Sequence, residues 1–169
     1  MLLGGIHMNK FLVVNLIKQA IEADKAGNYI KAKNAYQELY DLFKCELGEK
    51  HLTTLKVLNY LASSYYDLGD YNKACELQNV VYNARKEILG EKHPDTLNSL
   101  NNLANSYSYL GDYNKACELQ NVVYNARKEI LGEKHPNTLT SLNNLASSYY
   151  DLGDYNKACE LQNVVYNAR

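Results

Sequence analysis

One stretch of sequence decides the architecture of the chain, and it reads LGEKHPDTLNSLNNLA at residues 89–104. It returns almost unchanged, 42 residues later, at residues 131–146, and a weaker copy begins as LGEKH at residues 47–51. The segment 68–92 is also identical to the segment 110–134. Self-similarity at a fixed period is typical of a tandem array, in which each repeat packs mainly on its neighbours.

The period divides the chain into four repeats. A glycine followed by Asp or Asn and then Tyr comes into register in each of them, at Gly27, Gly69, Gly111 and Gly153. We predict a partly disordered leader at residues 1–8 and an array at 9–169, with repeats at 9–50, 51–92, 93–134 and 135–169. The last repeat stops at Arg169, short of the KEILG that completes the others, which predicts a fragment of a longer array.

Each repeat has the pattern of a helical hairpin, because its apolar residues recur at a spacing of three and four. The predicted buried sets of the second repeat are Leu55, Leu58, Leu61, Ala62 and Tyr65 on the first helix and Leu77, Val80, Val81 and Ile88 on the second. The predicted set on the first helix of the chain is Phe11, Leu12, Leu16, Ala20 and Ala23. We also expect Tyr107 and Tyr149, the equivalents of Tyr65, to be core residues.

Turn residues separate the predicted helices. Gly69 permits a left-handed turn within the second hairpin, and Asp70 can accept hydrogen bonds from the exposed amides of the next helix. Between hairpins, Pro94 cannot extend the preceding helix, and we expect Asp95 to cap the following one. Asn137 replaces Asp95 in the next repeat with the capping chemistry intact.

Composition and charge narrow the classes of function. The formal net charge is −1 with the signs mixed, so no basic field would concentrate nucleic acid or an anionic membrane surface. No run approaches the roughly 18 apolar residues of a membrane helix, and residues 1–6 lack the basic start of a secretory signal. We therefore expect a soluble cytoplasmic protein that binds neither nucleic acid nor membranes.

The sequence shows no motif for catalysis or for metal binding. Cys75, Cys117 and Cys159 are equivalent, and stacked repeats would separate them by about 10 Å, beyond disulfide reach. His93 and its equivalents recur singly in inter-repeat loops, which favours a role in the turn. Since no phosphate loop, catalytic triad, carboxylate pair or CxxC motif occurs, we predict that the chain is not an enzyme and has no metal site and no cofactor.

The motif within each repeat resembles the tetratricopeptide repeat. In the third repeat it consists of Leu100, Leu103, Ala104, Tyr107, Gly111, Asp112, Tyr113 and Ala116. That family usually has about 34 residues per repeat, and a period near 42 would equally suit HEAT or armadillo repeats, so the motif carries the resemblance. The longer repeat, with LGEKHPDTL and LNNLA, looks like the kinesin light chain class.

This resemblance implies an all-α, right-handed superhelical solenoid of tandem antiparallel helix hairpins. In the tetratricopeptide family the first helices line a concave groove that holds partner peptides. The residues of this chain that the resemblance places there are Asn59, Ser63, Tyr66, Asn98, Asn101, Asn105, Tyr109, Asn143, Ser147 and Tyr150. The family's carboxylate clamp uses several basic groove residues. Among the groove positions of the last three repeats of this chain, only Lys56 is basic. C-terminal carboxylates are therefore not the expected ligand.

The predicted function is a protein-interaction scaffold. An amide side chain both donates and accepts, so a ladder of Asn can hold the backbone of an extended peptide, and neighbouring tyrosines add apolar contact area. The alternative for this face is a solvated surface. Alternatives for the chain are a structural array that self-associates end to end through an uncapped surface at Val164, Val165 and Tyr166, or the regulatory repeat region of a larger signalling or motor-associated protein.

Overall fold

The computed structural model describes residues 10–168, and within this range the chain forms eight α-helices and no strand. They are α1 (Lys10–Lys25), α2 (Tyr29–Leu47), α3 (Leu52–Asp67), α4 (Tyr71–Leu89), α5 (Pro94–Tyr109), α6 (Tyr113–Leu131), α7 (Pro136–Leu152) and α8 (Tyr155–Asn167). The predicted leader at residues 1–8 and the end of the array at Arg169 lie outside the described residues.

The helices belong to two compact units, an N-terminal unit that ends at Leu77 and a C-terminal unit that begins at Gln78. In the N-terminal unit, α2 packs on both α1 and α3. In the C-terminal unit, α6 packs on both α5 and α7, and α7 packs on α8. Each of these second helices therefore contacts its own first helix and the first helix of the next repeat, as the prediction of an all-α array of hairpins requires.

The turn within each hairpin forms as predicted. Gly111 has a φ of +83°, and its amide donates to the carbonyl of Ser108 at 3.0 Å, which ends α5. Asp112 then caps α6, since its Oδ1 accepts from the amide of Lys115 at 3.0 Å. A residue with a Cβ would be strained at this positive φ, so the glycine recurs at every hairpin turn.

The turns between hairpins differ from the prediction in the residue that caps the helix. His93, and not Asp95, is the N-cap of α5, because its Nδ1 accepts from the backbone amide of Asp95 at 3.1 Å. His135 caps α7 in the same way, with 3.1 Å to the amide of Asn137. Proline occupies the first helical turn after each of these two histidines, where its missing amide costs nothing. The recurring histidine is therefore a helix cap.

Most of the predicted core is buried, but the buried face of α1 is rotated. Leu16, Ala20 and Ala23 are buried as predicted, whereas Phe11 is 75% exposed and Leu12 is 41% exposed. Val13 takes the inward position at the start of the helix. The apolar pattern of α1 is broader than one face, so spacing alone did not show which side packs on α2.

Further burial predictions were wrong in three places. In α4, Val81 is buried, but Leu77 is half-buried, and Val80 and Ile88 are exposed. The equivalent tyrosines are only half-buried, and they are Tyr65, Tyr107 and Tyr149. In α8, Val164 and Tyr166 are exposed as predicted, but Val165 is 5% exposed. Val80 and Val81 are adjacent, as are Val164 and Val165. Adjacent residues lie about 100° apart around a helix, so only one valine of each pair enters the core.

Candidate functional site

The predicted groove residues lie on the first helices of their repeats, outside the cores. In the N-terminal unit, α3 carries Asn59, Ser63 and Tyr66, all half-buried. In the C-terminal unit, α5 carries Asn98, Asn101, Asn105 and Tyr109, and α7 carries Asn143, Ser147 and Tyr150. We call this second set the asparagine face; its Asn101 and Asn105 are half-buried and its other members are exposed.

Three asparagines of the asparagine face accept hydrogen bonds through their side-chain oxygens. Asn98 Oδ1 accepts from Arg127 Nη2 at 2.7 Å, and Asn105 Oδ1 accepts from Gln120 Nε2 at 3.0 Å. Asn101 Oδ1 accepts from Asn144 Nδ2 at 2.8 Å, which joins α5 to α7. The amide nitrogens of these asparagines donate no hydrogen bond within residues 10–168. Each of these amide groups therefore keeps its N–H donors and one oxygen lone pair for a ligand.

Arg127 positions part of this face. Besides its bond to Asn98, its Nη1 donates to Ser141 Oγ at 2.8 Å, so one guanidinium joins α6 to both α5 and α7. Desolvation by burial lowers the pKa of this guanidinium. Arg85 makes the equivalent bond to Ser99 Oγ at 2.8 Å. We did not predict these contacts from the sequence, although an arginine followed 14 positions later by serine recurs at the repeat period.

A cleft rich in tyrosine opens at the hairpin-turn end of the asparagine face. Ser108, Tyr109, Tyr113 and Asp151 line an open cavity of about 350 Å³. Tyr109 and Tyr150 are each 60% exposed. Tyr150 also packs edge to face on Tyr155, with 5.1 Å between ring centroids, which fixes the orientation of its ring. We call the four lining residues together with Tyr150 the tyrosine cleft.

The N-terminal unit contains a different surface, a pocket of about 460 Å³ with a mainly apolar lining. Its lining residues are Ile17, Ile21, Asp24 and Lys25 from α1, Tyr36, Leu39 and Phe43 from α2, and Thr53, Lys56, Val57 and Tyr60 from α3. The size and lining suit an apolar side chain or a small apolar ligand.

Two tyrosines shape the wall of this pocket. The Tyr36 hydroxyl donates to Asp24 Oδ2 at 2.6 Å, and its ring stacks on that of Tyr60 with centroids 5.3 Å apart. Burial, followed by the hydrogen bond to the Asp24 carboxylate, raises the pKa of Tyr36. The Tyr36 hydroxyl is therefore a fixed donor and not a proton-transfer group.

We did not predict this pocket, although the register of the repeats indicates it. Ile17 is equivalent to Asn59, Asn101 and Asn143, and Ile21 is equivalent to Ser63. The first repeat therefore differs from the others on this face. Its Ile17 and Ile21 form an apolar surface where the later repeats are polar.

The described part of the chain offers no constellation for metal chemistry or disulfide formation. No group of three or more His, Cys, Asp or Glu side chains lies close enough to hold a metal ion within residues 10–168. None of the four cysteines, all of which fall in that range, forms a disulfide. Burial, followed by the charges of Asp151 and Asp154, raises the pKa of the Cys117 thiol, which keeps it protonated. No described helix is both long and apolar enough to cross a membrane.

Comparison with protein families gives one match that extends over most of the chain. The profile of the tetratricopeptide repeat family matches residues 20–86, 53–129 and 104–169. These overlapping matches run through all four repeats. No curated protein matches the chain.

Solved structures with the same fold include two crystal structures of a provisional kinesin light chain of Podosopora anserina, with nearly identical TPR-like repeats. Each is 26% identical, and the match covers 92% of this chain and 74% of that one, with TM-scores of 0.81 and 0.84. BtubC (BKLC) from P. vanneervenii is 22% identical over 93% of this chain and 62% of its own, with a TM-score of 0.79. At that identity the likeness shows the fold alone.

Proposed function

Since the chain belongs to the tetratricopeptide repeat family, a non-catalytic scaffold fold that typically mediates protein–protein interaction, we propose that it holds an extended segment of a partner protein. In the C-terminal unit the proposed binding surface is the asparagine face of α5 and α7 together with the tyrosine cleft, to which α6 contributes Tyr113. In the N-terminal unit a separate set on α3, Asn59, Ser63 and Tyr66, is proposed for the same role.

The observation that carries this proposal is the set of unused donors on the asparagine face. Asn101 and Asn105 are half-buried, and hydrogen bonds to their side-chain oxygens fix their amide groups. A fixed donor loses little conformational entropy when a ligand carbonyl binds, so the face is preorganised for a peptide backbone. The exposed rings of Tyr109 and Tyr150 add contact area of the kind enriched at interfaces.

A pull-down from a lysate of the source cells tests the proposal. The bait is the full chain, compared with a variant that carries Asn101→Ala, Asn143→Ala and Tyr150→Ala. We expect the parent to retain a protein that the variant loses, because one amide donor, one exposed amide and one aromatic anchor are removed. Truncation of a central interface tyrosine to alanine typically weakens a complex by about 2 kcal/mol, which is roughly 30-fold in affinity.

A matched control shows whether a loss of binding comes from the proposed face or from the removal of any exposed Asn and Tyr side chains. It carries Asn121→Ala, Asn125→Ala and Tyr166→Ala, which remove the same residue types from second helices. All three positions are exposed, and Tyr166 is 82% exposed. Equal retention by the parent, the test variant and the control would contradict the proposal. Equal helicity of all three by circular dichroism is the folding check.

A second candidate function is end-to-end self-association. The exposed Val164 and Tyr166 of α8 favour it, and the buried Val165 takes no part. Sedimentation of the parent at rising concentration, beside a Val164→Lys/Tyr166→Lys variant, tests it. Association that the variant abolishes would support this candidate, and a monomer at all concentrations would exclude it.

A regulatory array within a larger signalling or motor-associated protein remains compatible with the scaffold proposal, because the partner segment would then belong to the same assembly. We propose a cytoplasmic location for the scaffold. The exposed cysteines Cys45 and Cys159, which form no disulfide, support this, since such thiols are expected to persist in a reducing compartment. The proposed partner is a protein, and neither nucleic acid nor a membrane is proposed as one.

A further inference from the structure

The apolar pocket of the N-terminal unit opens between α1 and α3, over α2. In the C-terminal unit the equivalent helices α5 and α7 are joined at this level, because Asn144 Nδ2 donates to Asn101 Oδ1 at 2.8 Å. The residues equivalent to Asn101 and Asn144 are Ile17 and Tyr60, and both line the pocket. Since an isoleucine side chain has no polar atom, α1 and α3 lack this bridge.

The floor of the pocket differs from its equivalent in the same way. Leu39 and Phe43 of α2 line it and are buried. The residue equivalent to Phe43 is Arg127, and the residue equivalent to Tyr36 is Gln120. Both of these α6 side chains donate hydrogen bonds to neighbouring helices. The C-terminal unit therefore uses these positions for polar contacts between helices, whereas the N-terminal unit leaves a cavity of about 460 Å³.

The lining of the pocket suits a hydrocarbon better than a peptide. A peptide brings an N–H and a C=O at almost every residue, and each needs a partner when it is buried. Asp24 offers one of the few acceptors in the lining, and its Oδ2 already accepts from the Tyr36 hydroxyl. A ligand with a long apolar body and a single polar end leaves no such groups unpaired. The volume falls within the range of small-molecule sites.

The length of the pocket sets the length of the ligand. On α1 the lining residues run from Ile17 to Lys25, and the helix rises about 12 Å between them. An extended chain advances about 1.2 Å per bond, so a hydrocarbon of about ten carbons covers this distance. A medium-chain hydrocarbon therefore fits the pocket lengthwise.

The charges of the lining select the polar end of the ligand. Short turns join α1 to α2 and α2 to α3, so α1 and α3 run in the same direction, and Lys25 and Lys56 lie toward opposite ends of the pocket. Asp24 offsets the charge of its neighbour Lys25. Lys56 forms no hydrogen bond or ion pair with any residue in the range 10–168. A carboxylate there gains a charge-assisted hydrogen bond, and the Thr53 hydroxyl offers a second donor.

We propose that the apolar pocket binds a medium-chain fatty acid, with the carboxylate at Lys56 and the hydrocarbon chain along Ile17 and Ile21. This site belongs to the N-terminal unit and takes a small molecule, so it is a second site beside the surface proposed for a partner protein. The inference does not rest on the proposed function, and either can fail alone.

Calorimetric titration of the full chain with dodecanoate, below the concentration at which it forms micelles, tests the inference. The comparison ligand is dodecyltrimethylammonium, which has the same hydrocarbon chain and the opposite charge. We expect dodecanoate to bind at one site per chain and about fivefold more tightly than the cation, the upper range for an exposed ion pair. Equal affinity for the two ligands, or no saturable binding of dodecanoate, would overturn the inference.

Variants that borrow residues from the other repeats test the apolar wall. Ile17→Asn introduces the residue present in the other three repeats, and Ile21→Ser introduces that of Ser63. Both isoleucines are partly exposed, so the core of α1 stays intact. We expect the double variant to bind dodecanoate about tenfold more weakly, because two apolar contacts are lost. An unchanged affinity would place dodecanoate elsewhere and overturn the inference.

A matched control removes two exposed apolar side chains outside the pocket, by Val122→Asn and Val164→Asn. We expect its affinity for dodecanoate to stay within about twofold of that of the parent, since neither valine contributes to the site. An equal loss in the control and in the isoleucine variant would show general adsorption of the amphiphile and overturn the inference. Circular dichroism of all variants checks the fold.

Reversal of one charge tests the position of the carboxylate. In Lys56→Glu we expect the order of affinity to be exchanged, so that dodecyltrimethylammonium binds more tightly than dodecanoate. An unchanged order would overturn the inference. Competition with acetyl-(Leu)₃-amide tests the other occupant, an apolar side chain of a protein. Displacement of dodecanoate by this peptide at similar concentrations would assign the pocket to a protein partner and overturn the inference as well.

Discussion

The histidine of each inter-repeat turn sets where the following helix begins. Its Nδ1 accepts a hydrogen bond that a backbone amide in the first turn would otherwise lack, at His51, His93 and His135. Proline stands next in the last two of these turns and supplies a residue without an amide at the first helical position. One ring nitrogen therefore replaces the oxygen of the usual Asn, Asp or Ser cap.

His135→Ala tests this cap. We expect the free energy of unfolding to fall by about 1 kcal/mol, because the amide of Asn137 loses its partner. His135→Asn should restore most of the loss, since an Asn oxygen can accept the same hydrogen bond. Urea denaturation followed by circular dichroism measures both, with Lys134→Ala as an exposed control. Equal stability of the alanine and parent proteins would show that the cap contributes nothing.

At the scale of helices, an arginine of the second helix joins neighbouring repeats. Arg127 of α6 contacts Ser141 of α7 and Asn98 of α5, and Arg85 repeats the bond with Ser99. The equivalent pair in the first repeats is Phe43 and Val57, both of which line the apolar pocket. The contact between the second helix of one repeat and the first helix of the next is therefore apolar in the N-terminal unit and polar in the C-terminal unit.

A double-mutant cycle on Arg127→Ala and Ser141→Ala measures the energy of this polar contact. Hydrogen bonds to a charged group in a partly buried site contribute about 1.5–3 kcal/mol, so we expect a coupling energy of about 1–2 kcal/mol. The same cycle on the exposed pair Lys115 and Glu118, 2.9 Å apart in α6, should give less than about 0.5 kcal/mol. Similar coupling energies in the two cycles would contradict this account of the contact between repeats.

At the scale of the whole molecule, the sequence predicted what depends on local chemistry. The 42-residue period, the hairpins and the caps at Asp70 and Asp112 followed from glycine, aspartate and apolar spacing. The partners of Asn98 and Asn105 could not be predicted, because Arg127 and Gln120 reach them only through the packing of α5 against α6. The rotation of α1 was missed for a similar reason, since its apolar residues surround most of the helix.

Repeat arrays also differ from single-core domains in what a surface substitution does. Each hairpin contacts only its neighbours, so a change on the exposed side of α5 or α7 leaves the cores of the other repeats intact. The fold can therefore tolerate variation at Asn143, Ser147 and Tyr150 while the ligand changes. The binding face can be tested separately from the fold for this reason.

The central claim is that the first helices, and not the second, hold the partner. Photo-crosslinking tests it most directly: a benzophenone amino acid replaces Tyr150 on α7 in one protein and Tyr166 on α8 in another, both exposed positions of the same residue type. After irradiation in a lysate of the source cells, we expect a discrete crosslinked partner from position 150 and none from 166. A partner crosslinked only from 166, or equally from both, would contradict the claim.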